Sequence, residues 1–234
     1  PLSGEETRLA VVDTDGDGFT DVVFTDRFGA TATRADLFVL PGSDKGVNRN
    51  GVRLVDSPAI DDPLPSLHEA GDLDGDGWGD FALATRSMGL VVFGTRRGPG
   101  SSSLLFDFGP DASFPDAEAP PAAPLAVSGA FAHDDDALSD LAFAEYFGDT
   151  PVLIFRGSAG RRFEPVFLDV VDPAPAPLRA RVITTGDFDG DGLVDTAFTT
   201  TIAGETAICV AGAAEDAGAA RLTCWTPPAP APAE

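Results

Sequence analysis

Lysine is all but missing: Lys45 is the only one in 234 residues. Lys and Arg number 15 against 38 Asp and Glu, a formal net charge of −23. A surface of that sign repels phosphate backbones and anionic lipid, which excludes nucleic acid and anionic membranes as partners. No run of 18 apolar residues occurs, so no membrane span is expected. Histidine is limited to His68 and His133, too few for a histidine-based zinc site. His68 reads as a packed or rim residue and His133 as an exposed one. No Ser-His-Asp order, phosphate loop or Cys-x-x-Cys is present, so no catalytic constellation is visible. Glu69, Glu145, Glu164 and Glu205 leave a glycosidase pair formally available, but nothing singles out two of them. No signal peptide is visible. The chain starts at Pro1 without Met and reads as a mature or excised segment.

What is present is a loop. Asp-x-Asp-Gly-Asp-Gly-x-x-Asp occurs at 13–21 (DTDGDGFTD), 72–80 (DLDGDGWGD) and 187–195 (DFDGDGLVD). Four carboxylates within nine residues repel one another unless a hard cation neutralises them. Calcium is such a cation, taking six to eight oxygens from a flexible loop. The glycines let the backbone curl where a Cβ would obstruct. Three divalent ions would bring the formal charge from −23 to −17, leaving an acidic solvated surface.

The loops recur at a period of nearly sixty residues. From Asp13 to Asp72 is 59 residues, and a damaged copy, AHDDDALSD, fills 132–140. Around each loop lie four apolar runs of three or four residues, rich in Val, Phe, Ile and Leu. In the first copy they are 9–12, 22–25, 37–40 and 52–55; in the second 67–70, 81–84, 90–93 and 104–106. The third has 125–128, 141–144, 152–155 and 166–168, and the fourth 182–185, 196–199, 207–210 and 222–225. Each third run ends near a glycine: Gly42, Gly94, Gly157, Gly212. Such runs, punctuated by Gly, Asp, Pro and Ser, predict strands. Four antiparallel strands per repeat is the pattern of one propeller blade. The expected fold is therefore all-β, four blades of four strands: 1–57, 66–114, 124–172 and 178–226. Proline-rich connectors at 58–65, 115–124 and 173–177 separate them, and 227–234 is a Pro/Ala-rich tail or linker. Cys209 and Cys224, the only cysteines, lie on the third and fourth runs of the last copy. Antiparallel pairing there favours a disulfide over two buried thiols, and with it an oxidising compartment.

Spacing separates the families of acidic loops. An EF-hand needs a Glu at the twelfth position between helices. That position is Phe24, Leu83 and Phe198, and the flanks read as strands. Asp at positions 1, 3, 5 and 9 between strands resembles the FG-GAP/VCBS repeats, the blades of integrin-α-like calcium-binding β-propellers. Phe28-Gly29 and Phe147-Gly148, and the strand endings at 40–43 and 155–158, fit that pattern. The resemblance implies calcium bound by four Asp side chains and the position-7 carbonyl. The sites would be Asp13, Asp15, Asp17, Phe19 and Asp21; Asp72, Asp74, Asp76, Trp78 and Asp80; and Asp187, Asp189, Asp191, Leu193 and Asp195. The position-7 side chain is expected to pack into its blade. The damaged copy keeps Asp134, Asp136 and Asp140 and is expected to hold no fourth ion. Two alignments stay open for it: Ala132 at position 1, or Gly129 level with Gly71 and two residues inserted.

The resemblance also implies a setting. The chain is expected to be a secreted, surface or periplasmic module for adhesion or for protein or glycan interaction. A propeller part of a secreted polysaccharide-acting enzyme, or a structural subunit of a surface assembly, is the alternative. The family's rings usually have seven blades, so the remaining blades would come from the same precursor or from another chain. Arg96-Arg97 and Arg161-Arg162 read as solvated hairpin tips or contact points.

Overall fold

Apolar runs become strands throughout the computed structural model. It describes residues 8–26, 36–48, 50–55, 66–85, 88–107, 126–131, 136–144, 152–163, 165–167, 183–190, 194–202, 205–211 and 222–226. The three proline-rich connectors, the tail and both Phe-Gly pairs lie outside them. The described residues contain sixteen strands and no helix.

Sheet 1 is β1 (Leu9–Val12), β2 (Asp21–Asp26), β3 (Asp36–Leu40) and β4 (Arg53–Leu54). Sheet 2 is β5 (Ser66–Gly71), β6 (Asp80–Ala84), β7 (Met88–Val92) and β8 (Ser102–Asp107). Sheet 3 is β9 (Ala126–Phe131), β10 (Asp140–Ala144), β11 (Val152–Phe155) and β12 (Pro165–Phe167). Sheet 4 is β13 (Ile183–Gly186), β14 (Asp195–Ile202), β15 (Glu205–Ala211) and β16 (Leu222–Trp225). Each sheet is an antiparallel meander with strands in chain order. The first strands stand side by side, β5 between β1 and β9, and β9 next to β13. No sheet closes on itself.

The acidic loop always joins the first strand to the second at one register. Val12 lies opposite Asp21, Gly71 opposite Asp80, Phe131 opposite Asp140 and Gly186 opposite Asp195. This decides between the two alignments of the damaged copy. Phe131, not Gly129, is level with Gly71, so nine residues fill that loop as they fill the others. β5 and β9 each carry a one-residue irregularity near this end.

Packing follows the two faces of sheet 2. Phe81 and Leu83 on β6, with Leu90 and Val92 on β7, meet Val12, Val23, Leu37 and Val39 of sheet 1. The alternate residues Ala82, Ala84 and Val91, with Phe93 just beyond β7, meet Leu141, Phe143 and Phe155 of sheet 3. That double burial is why β6 reads as a continuous apolar run rather than an alternating one. In sheet 1 the described residues cover only one face. Leu9 and Val11 are exposed, and Val22, Phe24, Phe38 and Leu40 on the same face are half-buried. Phe24 and Phe38 stack there with centroids 5.4 Å apart.

In sheet 4 the cysteines are directly opposed on β15 and β16 and form the disulfide Cys209–Cys224, with Cα atoms 4.1 Å apart. The bond staples the two last strands, as their spacing suggests. Reducing it is expected to destabilise the chain by about 3 kcal/mol, since it closes a loop of roughly 15 residues. Urea unfolding with and without reductant checks this. In the same assay Phe81→Ala, which empties the contact between sheets 1 and 2, should cost about 3–5 kcal/mol. A loss below about 1 kcal/mol would contradict the packing described.

Candidate metal centres

The loops are shaped by their own carboxylates. The first Asp folds the chain around itself. Asp13 accepts the N–H groups of Gly16 (2.8 Å) and Gly18 (2.9 Å), one on each oxygen. Asp72 accepts those of Gly75 (2.8 Å), Asp76 (3.1 Å) and Gly77 (2.9 Å), and Asp187 accepts that of Gly190 (2.6 Å). The fifth position makes the next turn. Asp17, Asp76 and Asp136 accept the N–H two residues on, from Phe19, Trp78 and Leu138.

The ninth Asp ties the loop to the third strand. Asp21 accepts the N–H and hydroxyl of Thr14 on one oxygen and the N–H of Gly42 (2.8 Å) on the other. Asp80 does the same with Leu73 N–H and Gly94 N–H, both at 2.8 Å. Asp140 accepts Gly157 N–H at 2.7 Å, and Asp195 accepts Phe188 N–H at 2.9 Å. All four of these carboxylates are buried. The strand-end glycine is required by close approach. A Cβ at Gly94 would meet Gly79 O at 2.5 Å, and one at Gly157 would meet Ser139 O at 2.5 Å.

These bonds leave three groups of carboxylates converging. Asp13, Asp15 and Asp17 offer oxygens within 4.8 Å of one another, as do Asp72, Asp74 and Asp80, and Asp187, Asp189 and Asp195. Each group is able to hold a metal ion, and every donor is a hard oxygen. The structure thus brings together Asp13, Asp15 and Asp17 of the first expected site, while Asp21 sits behind them on backbone N–H groups. Asp76 lies beside the second group. Asp191 and Leu193 of the third site lie outside the described residues, as do Asp134 and His133 of the damaged copy. In the first group Asp15 Oδ1 is sealed from solvent and has no hydrogen-bond partner. A buried anionic oxygen without a partner is costly, and a cation would relieve it.

Adjacent loops are bonded to each other. Gly79 N–H donates to Asp13 O (2.9 Å) and Thr95 N–H to Thr14 O (3.0 Å), linking sheet 2 to the loop of sheet 1. Ser139 N–H donates to Asp72 O (2.9 Å) and Ser158 N–H to Leu73 O (2.7 Å), linking sheet 3 to the loop of sheet 2 in the same way. The position-7 side chains take part. Trp78 and Leu138 start against Gly94 and Gly157 of their own sheets, and their far ends lie over Gly16 and Gly75 of the preceding loops. Phe19, at the same position in the first loop, is 40% exposed.

Arg161 is a contact point and no solvated tip: Nε lies 2.5 Å from Asp74 Oδ2 and Nη2 3.3 Å from Asp76 Oδ2. Arg96, Arg97 and Arg162 are exposed, as expected, with Arg97 O accepting a bond from Arg53 (2.9 Å). Glu69 and Glu205 are exposed on different sheets, and His68 is half-buried, its pKa lowered by burial. No family model matches the chain, and no curated protein is significantly similar to it.

Burial pushes the Asp80 carboxyl up to about 7, against the pull of the Gly94 and Leu73 N–H groups, with Asp74 and Asp76 adding to the rise. Burial also raises Asp15, with Asp21 and Asp17 contributing, and it raises Asp76. A carboxyl raised in the folded state keeps a proton that the unfolded chain has already released. Its stabilising share is complete below the ordinary value of 3.8 and is lost as pH climbs to about 7. Chelator-treated protein should therefore lose stability steadily between pH 4 and about 7, read as the urea midpoint. A midpoint that rises over this window would contradict the buried acidic loops.

Proposed function

We propose that this chain is a calcium-stabilised β-propeller segment of the FG-GAP/VCBS kind. It works outside the cytoplasm as an interaction or adhesion module for a protein or glycan partner. The observation that carries the calcium reading is Asp15 Oδ1, buried and unpartnered within a triad of carboxylates. An all-oxygen donor set on a flexible loop suits calcium better than zinc or copper. Calcium would be held by Asp13, Asp15, Asp17 and the Phe19 carbonyl, with Asp21 fixing the loop behind or joining the ligands. Asp72, Asp74, Asp76, Trp78 and Asp80 would form the second site, and Asp187, Asp189, Asp191, Leu193 and Asp195 the third. The bound ion would supply charge neutralisation and nothing catalytic.

The blade reading is supported by the side-by-side first strands and by the loop-to-loop bonds between successive sheets. The disulfide supports an oxidising compartment. An apolar face of sheet 1 that the described residues leave open, with Phe19 exposed where Trp78 and Leu138 cover a neighbour, supports a further sheet packed before sheet 1. That sheet would come from the same precursor or from another chain.

Thermal unfolding with calcium chloride and with chelator tests the reading. Millimolar calcium should raise the midpoint by several degrees, because ligand binding to the folded state adds RT ln(1 + [L]/Kd), about 1–3 kcal/mol at ten to a hundred times Kd. Asp15→Asn should remove part of that rise and raise the metal-free midpoint, since the buried charge is gone. A midpoint that ignores calcium would sink the calcium reading.

A further inference from the structure

Three hairpin tips share one turn. Ser43, Thr95 and Ser158 each accept, at the backbone carbonyl, the N–H three residues on, from Gly46 (2.9 Å), Gly98 (2.7 Å) and Arg161 (2.8 Å). That third residue has positive φ every time: 89° at Gly46, 90° at Gly98 and 53° at Arg161. Left-handed backbone suits glycine and is disfavoured for a residue with a Cβ. Arg161 is the only non-glycine residue with positive φ among the described residues. An arginine therefore stands where the two sister turns use glycine, against its own backbone preference.

The geometry shows what the arginine does there. The tips of sheets 2 and 3 each overhang the acidic loop of the sheet before. A Cβ added at Gly98 would lie 3.8 Å from Thr14 Oγ1, in the first loop. By the same placement Arg161 reaches the second loop. Its Nε and Nη2 meet Asp74 and Asp76, and Nη1 donates to Ser101 Oγ at 3.0 Å. Its Cζ lies 4.2 Å from the centroid of the Phe93 ring. The Asp74 side chain is only 3% exposed, so this is a charge largely withdrawn from water and matched by a fixed guanidinium. Asp15, the equivalent residue under Gly98, has no such ion pair among the described residues, the nearby Arg53 guanidinium donating instead to Arg97 O, and its Oδ1 is unpartnered.

We propose that Arg161 is a built-in counter-cation of the second loop, and that Arg161 and a divalent metal exclude one another there. The guanidinium engages Oδ2 of Asp74 and Oδ2 of Asp76, one oxygen from each of two carboxylates a metal would need. On this proposal metal binding displaces Arg161 from both, leaving the tip of sheet 3 held to sheet 2 by the Ser158 N–H bond to Leu73 O. The second loop becomes the last to fill. This rests on the calcium reading for the metal half; the counter-cation half does not need it. If Arg161 holds the carboxylates about nine-tenths of the time, apparent affinity there falls about tenfold.

Calorimetric titration of chelator-treated full chain with calcium chloride tests this. Arg161→Gly restores the residue of the sister turns and relieves the backbone, so it is the variant of choice. Asp74→Asn marks which binding step belongs to the second loop. The Asp74-dependent step should be the weakest in the unaltered chain and should tighten about tenfold in Arg161→Gly, with the other steps unmoved. In the metal-free state the effects of Arg161→Gly and Asp74→Asn on the unfolding midpoint should be non-additive. An Asp74-dependent step unchanged or weakened by Arg161→Gly overturns the proposal, as does additivity of the two substitutions. Calcium binding that appears at this loop only in Arg161→Gly supports it. Loss of the calcium reading shows separately, as indifference of the other steps to Asp15→Asn.

Discussion

The carboxylate at the ninth loop position is the contact on which the rest depends. Asp21 and Asp80 each bridge a backbone N–H at the start of the loop and another at the end of the third strand. One side chain thereby fixes three strands at the same rim. A charge-assisted acceptor with two backbone donors is among the stronger polar contacts a sheet can have, and burial strengthens it further. The cost is equally local: the same burial raises the Asp80 carboxyl towards neutrality. The damaged copy shows which part is indispensable. It has lost its first Asp and both glycines, yet Asp140 still holds Gly157 N–H and Asp136 still turns Leu138. The brace therefore outlasts the full acidic motif, and a sheet of this design does not need every carboxylate of its loop.

From that brace the neighbouring sheet takes its position. Once the loop is fixed, the carbonyls of its first two residues face outward and accept N–H groups from the next sheet. The glycine that serves the brace also permits this approach, because a Cβ at Gly94 or Gly157 would strike the neighbouring backbone. Cohesion between sheets is thus both apolar, through the clusters on either side of sheet 2, and polar, through the row of loops. The two are coupled. Any change that loosens a loop also withdraws acceptors from the next sheet.

The strands were legible because sheet 2 is buried on both faces and its neighbours on at least one, which forces apolar residues into short runs. The acidic clusters were legible because four carboxylates in nine residues set up a repulsion that a cation offsets. The role of Arg161 was not. Its partners Asp74 and Asp76 are more than eighty residues away in sequence, and the overhang of one hairpin tip on the preceding loop is a property of sheet stacking. A clue was present: Gly46 and Gly98 occupy the turn position that Arg161 breaks. The position-7 residues misled in part for a similar reason. Their apolar character signals burial, but Trp78 and Leu138 find part of it on a neighbour's loop, and Phe19, with no described sheet before it, stays exposed.

Charge then links the loops into one system. Direct backbone bonds place the first acidic loop against the second sheet and the second loop against the third, within a chain of net charge −23. Such contacts are shorter than the Debye length of about 8–10 Å at physiological salt, so neighbouring loops feel one another's charge. A cation in one loop lowers the cost of the carboxylates in its own loop and in the adjoining one. Arg161 places such a cation at the middle of the row without any metal. Loop 1 and loop 2 therefore solve the same repulsion differently: one leaves a buried oxygen open to an ion, the other fills the place with a side chain from the sheet that follows.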